Sequence, residues 1–442
     1  MFSASYIGGP MSNSPEPASA SGMEQLRDRF VAVGVALVIG VIVAMAAVAF
    51  FSVIGAVSTL WAVPLPLSIG EASGSYAAPV ALALGLSAII AGQILRLLEG
   101  GRPHGPADLI DAAQNDRAPD IRNGVISSLL ALNNLAGGAS VGVFGPLVHF
   151  GACVAAAAHS RLARMPIDVV LGCGAGAAIA AVFSAPLGGA IFAHEAIIRR
   201  FGAFGAAPVL GSCFVAFWLS DIILGSHRFF DIGLLPALDT ATLGGAVALG
   251  LVCGGVATIY MLAVTAMPRL ARESKVPLHL RPLVPAIALF ALSPVLPHLL
   301  GAGLGSVELA IAGQLAVGLM AILIVGKIAI TALCLGFGYF GGVVAPALFF
   351  GVMLGGLADA ALGGGGQMSF ALVGAASTIA AVIGAPVAAI VIVFEMTGSY
   401  EGAVLSMISV VIAAQISRSF AGRSLFDRQL ALRGINVADD HR

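Results

Sequence analysis

Eleven apolar runs dominate this chain, and several are too long for the interior of a soluble domain. They extend from Phe30 to Ile54, Ala77 to Leu98, Gly124 to Leu135, Val169 to Ile198 and Gly202 to Leu224. A second set covers Leu243 to Met267, Leu283 to Leu300, Leu315 to Leu335, Gly341 to Leu362, Phe370 to Met396 and Ala403 to Ile416. Crossing about 30 Å of hydrocarbon takes roughly 20 helical residues, so some runs span, some fall short and others must tilt or break. Charged residues make up only 10% of the 442, against about 25% in soluble domains. The runs are continuous rather than alternating, which argues against a transmembrane β-barrel. The fold expected is an all-α polytopic membrane protein.

A formal net charge of −1 offers no basic footprint for nucleic acid. Residues 1–29 are polar and lack the apolar core and cleavage site of a signal peptide, so they read as a cytoplasmic tail. Basic residues set the orientation. Arg27 and Arg29 precede the first span, Arg269, Arg272, Lys275 and Arg281 crowd one middle loop, and Arg418, Arg423, Arg428 and Arg433 follow the last. By the positive-inside rule all three regions face the cytoplasm. The five cysteines, Cys153, Cys173, Cys213, Cys253 and Cys334, lie in apolar stretches without metal-ligand spacing. They read as buried free thiols, and no metal or other cofactor is expected. Lys327 stands in an apolar run, where an ionisable residue is a functional candidate; anchoring a helix end is the reading favoured here. Trp61 and Trp218 read as interface anchors.

The chain also repeats itself, with an offset of 200 residues. GVFGPLVHFG begins at Gly142 and GVVAPALFFG at Gly342, so that Gly142, Val143, Pro146, Phe150 and Gly151 recur at Gly342, Val343, Pro346, Phe350 and Gly351. AAVFSAP (Ala180 to Pro186) recurs as AAVIGAP (Ala380 to Pro386), with Glu195 matched by Glu395. Two matches in one register point to duplication. The expected division is a first membrane repeat at 30–226, a linker at 227–242, a second repeat at 243–426 and a cytoplasmic tail at 427–442. The residues leave open whether the halves run parallel or inverted.

Proline in a first helical turn with glycine around it suits a helix start that a ligand can approach closely. A helix broken inside a membrane exposes unpaired N–H groups and the positive end of its dipole, which favours an anion. Gly142–Val143–Phe144–Gly145–Pro146 and Gly342–Val343–Val344–Ala345–Pro346 fit this description. Arg102–Pro103–His104–Gly105–Pro106 adds a cation and a histidine. Kinks or close helix packing would use the same residue types, and on the residues alone both readings stand.

These three stretches, in this order, resemble the anion-site motifs GSGIP, GREGP and GxFxP of the CLC family of chloride channels and chloride/proton antiporters. FSAPLGGAIFAHE (183–195), GKIAITALCLGFGYFGG (326–342) and GAPVAAIVIVFEMTGSY (384–400) also look like CLC segments. The resemblance spans roughly Val31 to Arg433. It implies an inverted repeat of short, tilted and broken helices, a pore in each subunit, a homodimer, a small anion such as chloride as the transported species, and a bacterial inner membrane as the location. It also implies an anion site built from the backbone of Val143, Phe144, Gly145, Val343, Val344 and Ala345, with Pro103 and Phe426 at the places of the pore serine and pore tyrosine. With only a short tail after the last span, the paired regulatory domains that some members append are not expected.

The departures from the family pattern are chemical. The gating glutamate of GREGP falls on Phe144, and the inner proton-transfer glutamate of the antiporters falls on Ala196, next to Glu195. Neither residue can bind a proton. Substituting a side chain other than by proline leaves its N–H in place, so the backbone donors survive while two neutral hydroxyl donors, each worth about 0.5–1.5 kcal/mol net, are lost. Arg102 and His104 could compensate electrostatically. The expectation is a passive, channel-like anion pathway with Phe144 as an apolar constriction. The alternatives are a proton-coupled antiporter with a relocated acid, for which His194 and Glu195 are the local candidates, and a non-conducting regulatory relative. An enzyme is not expected: His194–Glu195 opens like HExxH but ends on Ile198, and no GxSxG elbow occurs.

Overall fold

A computed structural model describes residues 22–61, 76–159, 165–200, 203–225, 239–362 and 369–435. The first half holds α1 (Gly22–Ser58), α2 (Ala77–Leu97), α3 (Pro106–Gln114), α4 (Ile121–Ala136), α5 (Phe144–His159), α6 (Ile167–Phe183), α7 (Pro186–Phe192, continued by a π-helical stretch Ala193–Ile198) and α8 (Ala203–Leu224). The second half holds α9 (Thr240–Glu273), α10 (Leu283–Leu292), α11 (Leu304–Ile311), α12 (Val317–Gly336), α13 (Val344–Ala361), α14 (Ser369–Ile383), α15 (Pro386–Thr397) and α16 (Tyr400–Ala421). A last helix, α17 (Leu425–Ala431), follows.

Equivalent helices pack alike in the two halves: α5 on α6 as α13 on α14, α1 on α8 as α9 on α16, and α6 on α8 as α14 on α16. Among the described residues seven helices are long and apolar enough to cross a membrane. At 1.5 Å per residue α1 and α9 reach about 50 Å and must tilt, whereas α3 covers only about 14 Å. This is a polytopic bundle of long tilted and short broken helices, built as an inverted repeat.

The longest apolar runs break where a left-handed residue meets a proline. Ser184 (φ 51°) ends α6 and Gly384 (φ 68°) ends the equivalent α14. Pro186 and Pro386 then open α7 and α15, the position at which proline is already suited to a helix. Helix α5 was absent from the apolar runs, because Gly145, Pro146, His149 and Gly151 dilute its hydropathy. Helix α1 begins at Gly22, inside the stretch read as tail. Residues 1–21, 226–238 and 436–442 of the expected tail, linker and C-terminus lie outside the described residues.

The core is a small-residue packing. Every residue of α6 is buried, as expected of a helix that is apolar all round. A Cβ on Gly174 would fall 2.1 Å from the Gly151 carbonyl oxygen, and one on Gly374 2.1 Å from that of Gly351. Close backbone approach, the usual means of helix association in membranes, is thus repeated in both halves. The five cysteines are free and buried.

One reading changes. Lys327 is not an anchor at a helix end: it is fully buried in the middle of α12, its Nζ donates to the Gly301 carbonyl at 2.8 Å and lies 5.0 Å from the centre of the Phe349 ring. The segment after α10 brings an unpaired carbonyl to that depth, and the ammonium satisfies it. Trp61 donates to the Ala136 carbonyl and packs on Gly138, while Trp218 is exposed on α8.

Candidate anion site

The two repeats meet at their most similar residues. Gly142 N donates to Gly342 O at 2.8 Å, and Gly342 N donates back to Gly142 O. Among the described residues this antiparallel bridge is the one extended pairing, and it relates the halves by a local two-fold. From it α5 and α13 start, with Leu147 N bonded to Val143 O and Ala347 N to Val343 O, both at 3.2 Å.

Glycine is required at the bridge. A Cβ on Gly342 would lie 2.7 Å from the Gly145 nitrogen and 3.2 Å from that of Phe144; one on Gly142 would lie 2.9 Å from the Ala345 Cβ and 3.3 Å from the Ala345 nitrogen. Each glycine thereby lets the first-turn amides of the other repeat come close.

Those amides are unpaired. Val143, Phe144, Gly145, Val343, Val344 and Ala345 are all buried, and none of their N–H groups finds an acceptor among the described residues. Helix starts always leave orphan donors, but buried ones cost free energy unless something accepts from them. Six at one place, at the positive ends of two helices, form a cradle for negative charge.

A cavity of about 460 Å³ reaches this cradle. Pro103, Gly145, Gly342, Val343 and Phe426 line it, together with Arg102, Arg269, Arg272, Arg281 and Arg433. The structure therefore brings four expected site residues (Pro103, Gly145, Val343 and Phe426) to one wall, beside Arg102. Val143, Phe144, Val344 and Ala345 are not among its lining residues. The Phe144 ring stacks on Phe183, with centroids 4.0 Å apart and planes at 18°.

The third helix start differs from the other two. Gly105 N donates to the Asp108 carboxylate at 2.9 Å and His104 N to Ser127 Oγ at 2.8 Å, so these two amides are not free for a ligand. Asp108 also pairs with Arg102 at 2.8 Å and Arg433 at 2.9 Å. Burial pushes this carboxyl up, but the Arg102 hydrogen bond and the charges of Arg433 and Arg102 outweigh it and hold it at about 2. Arg102 is thereby largely neutralised as an auxiliary for the anion. His104 is half-buried, and burial pushes its imidazole below the usual value.

Neither local acid candidate faces the cavity. The Glu195 carboxylate accepts from Val387 N at 3.2 Å and Ala388 N at 2.8 Å, at the start of α15. His194 Nδ1 lies 2.9 Å from the Arg200 carbonyl. Ala196 is buried in the π-helical stretch.

Several site residues escaped sequence reasoning. Tyr260 on α9 is fully buried and donates to Val343 O at 3.3 Å, fixing the peptide before α13. Arg269, Arg272 and Arg281 mark topology in the sequence, and their density in one short loop is itself an anion signal. Asp108, third after the Gly105 cap, had the spacing of a capping carboxylate.

Comparison with known proteins agrees with this geometry. The family description "Voltage gated chloride channel" matches residues 86–418. A putative chloride channel protein ClcB-like of Ralstonia nicotianae is 29% identical over 349 residues, covering 74% of this chain and 79% of that protein. A voltage-gated ClC-type chloride channel ClcB of Shigella flexneri is 26% identical over 338 residues, covering 75% and 81%. Among solved structures, a slow cyanobacterial Cl⁻/H⁺ antiporter superimposes with a TM-score of 0.79 at 18% identity, covering 93% of this chain and 99% of that one. A CLC-type fluoride/proton antiporter gives 0.77 at 20%, with the same coverage. The chain belongs to the CLC family of voltage-gated chloride channels, integral membrane proteins of anion transport.

Proposed function

We propose that this CLC-type anion transporter is a passive, channel-like pathway for chloride or a similar small anion, uncoupled from protons. The observation that carries the reading is the Phe144–Phe183 stack, which stands where the family resemblance puts a gating glutamate. An aromatic pair can open and close but cannot carry a proton. Ala196, at the second glutamate position, is equally inert, and Glu195 is engaged by two amides of α15.

In this reading the arginines of the cavity concentrate anions in a wide vestibule, and focused charge of one sign raises local anion concentration. The anion then meets the amides of Gly145 and Val343 without the hydroxyls at Pro103 and Phe426. Weaker central binding favours throughput, because conduction needs sites an ion can leave. Arg269, Arg272 and Arg281 from the middle loop and Arg433 from the C-terminal segment meet at the mouth, which supports a cytoplasmic vestibule. The working unit is taken to be a homodimer in a bacterial inner membrane, as the family resemblance and the bacterial ClcB relatives suggest.

The test is the reversal potential of the purified protein in planar bilayers under opposed chloride and proton gradients. A potential that follows chloride alone is expected; a shift with the proton gradient supports the antiporter reading instead. Absence of any anion flux supports the non-conducting relative.

A further inference from the structure

One titratable side chain in the heart of the first repeat plays no part in the pathway described above. His149, on α5, is fully buried, and neither ring nitrogen has a hydrogen-bond partner among the described residues. An imidazole always carries at least one donor or acceptor to satisfy, and leaving buried polar atoms unpaired is costly and uncommon. The ring is fitted to its place. It fills the space that Gly124 leaves on α4, where a Cβ would lie 2.9 Å from His149 Nε2 and 2.5 Å from Cys153 Sγ.

A second imidazole packs against this ring. His104 and His149 are 6.3 Å apart, centroid to centroid, edge to face at 81°. His104 is half-buried, and its chain neighbours Pro103 and Gly105 line the cavity. Its loop is pinned by the bond from His104 N to Ser127 Oγ, which in turn donates to Asn123 O at 2.6 Å.

His149 lies four residues beyond Gly145 on one helix, about 6 Å along the axis. We propose that His149 is a proton-binding site, filled from the vestibule through His104, whose protonation strengthens anion binding at the starts of α5 and α13. This rests on the passive-pathway reading above and gives it a regulator. The proton comes from vestibule water onto an imidazole nitrogen and returns the same way. The reversal potential therefore stays blind to a proton gradient while the rate responds to acid on one side. The linkage is reciprocal: a bound anion must raise the proton affinity of His149.

The charged surroundings leave room for that response. The groups facing the two rings are Arg102 and the Gly105 backbone before α3, Asp108 on α3, Asp120 and Asn123 at the start of α4, and Cys153 on α5, with Arg433 on the far side of Asp108. Two arginines offset two carboxylates, so an added proton is not annulled by an unmatched acid.

The experiment has two arms. In planar bilayers the pH is changed on one side at a time from about pH 8 down to about 4, because burial moves an imidazole below its ordinary range. Chloride conductance is expected to rise at least about fivefold, the lower end of ordinary coupling between sites, from one side only. His149→Gln should flatten that rise. A response from both sides alike, an unaltered response in His149→Gln, or a flat wild-type profile overturns the proposal, while conduction itself upholds the pathway.

The second arm needs no flux and no variant. In detergent-solubilised wild type with ¹³C-labelled histidine, one imidazole resonance should titrate with a midpoint that rises on adding chloride. His104→Gln should retain it and His149→Gln should lose it. No chloride-dependent midpoint, or one that disappears only in His104→Gln, overturns the proposal.

Discussion

Glu195 and Glu395, 200 positions apart, hold each other's repeat. Glu195 accepts from Val387 N and Ala388 N at the start of α15, and Glu395 accepts from Leu187 N at 3.1 Å and Gly188 N at 2.7 Å at the start of α7. Each carboxylate is a charge-assisted cap on orphan amides of the opposite half. Glu195→Ala and Glu395→Ala should each lower stability by about 1–3 kcal/mol, read as the thermal midpoint in detergent. In bilayers Glu195→Gln should leave the reversal potential under a proton gradient unmoved. A shift there would return Glu195 to the role of a proton carrier.

Gly342 tolerates no side chain. Gly342→Ala would place a methyl 2.7 Å from the Gly145 nitrogen, where backbone rather than a flexible side chain must yield. Overpacking of this kind costs about 1–3 kcal/mol, and it also fills the space in front of the cradle. Chloride flux should fall at least tenfold relative to wild type at equal incorporated protein, about 1.4 kcal/mol of barrier.

Phe144→Ala should raise chloride conductance if the ring is the constriction, and Phe183→Ala should do so less, because it removes only the partner of the stack. A double-mutant cycle on stability should return a coupling of about 0.5–1.5 kcal/mol, the usual value of an aromatic pair. Unchanged conductance in Phe144→Ala would remove the apolar gate.

Asp108 gives a signed pH dependence. Its carboxyl, with an ordinary value of 3.8, is held at about 2 in the folded protein. A lowered folded value stabilises above the ordinary one, so this contribution is complete at neutral pH. It is lost as pH falls from about 4 towards 2. Asp108→Asn should lower the thermal midpoint at pH 7 by a loss on the order of 1–2 kcal/mol. The same change removes one negative charge from the vestibule and should raise conductance at low salt, with the gain shrinking as ionic strength rises.

Much of this was legible in the sequence, for identifiable reasons. The repeat register was readable because Gly142 and Gly342 sit where a Cβ would crowd the other repeat, and Pro146 and Pro346 sit in first helical turns that suit proline. The breaks at Ser184 and Gly384 follow from Pro186 and Pro386. What stayed hidden depends on contacts between distant segments. No local pattern says that Lys327 meets the Gly301 carbonyl, that Glu195 caps α15, or that Asp108 takes the amide of Gly105 and two arginines. Phe144 read as a lost glutamate; that it stacks on Phe183 requires the fold.

The central claim is that the buried, unpaired amides at the starts of α5 and α13 hold the anion. Anomalous diffraction from crystals of the protein grown in bromide tests it most directly. A bromide peak within hydrogen-bonding distance of the Gly145 and Val343 nitrogens is expected. Bromide found only among the vestibule arginines, with those amides bonded elsewhere, would contradict it.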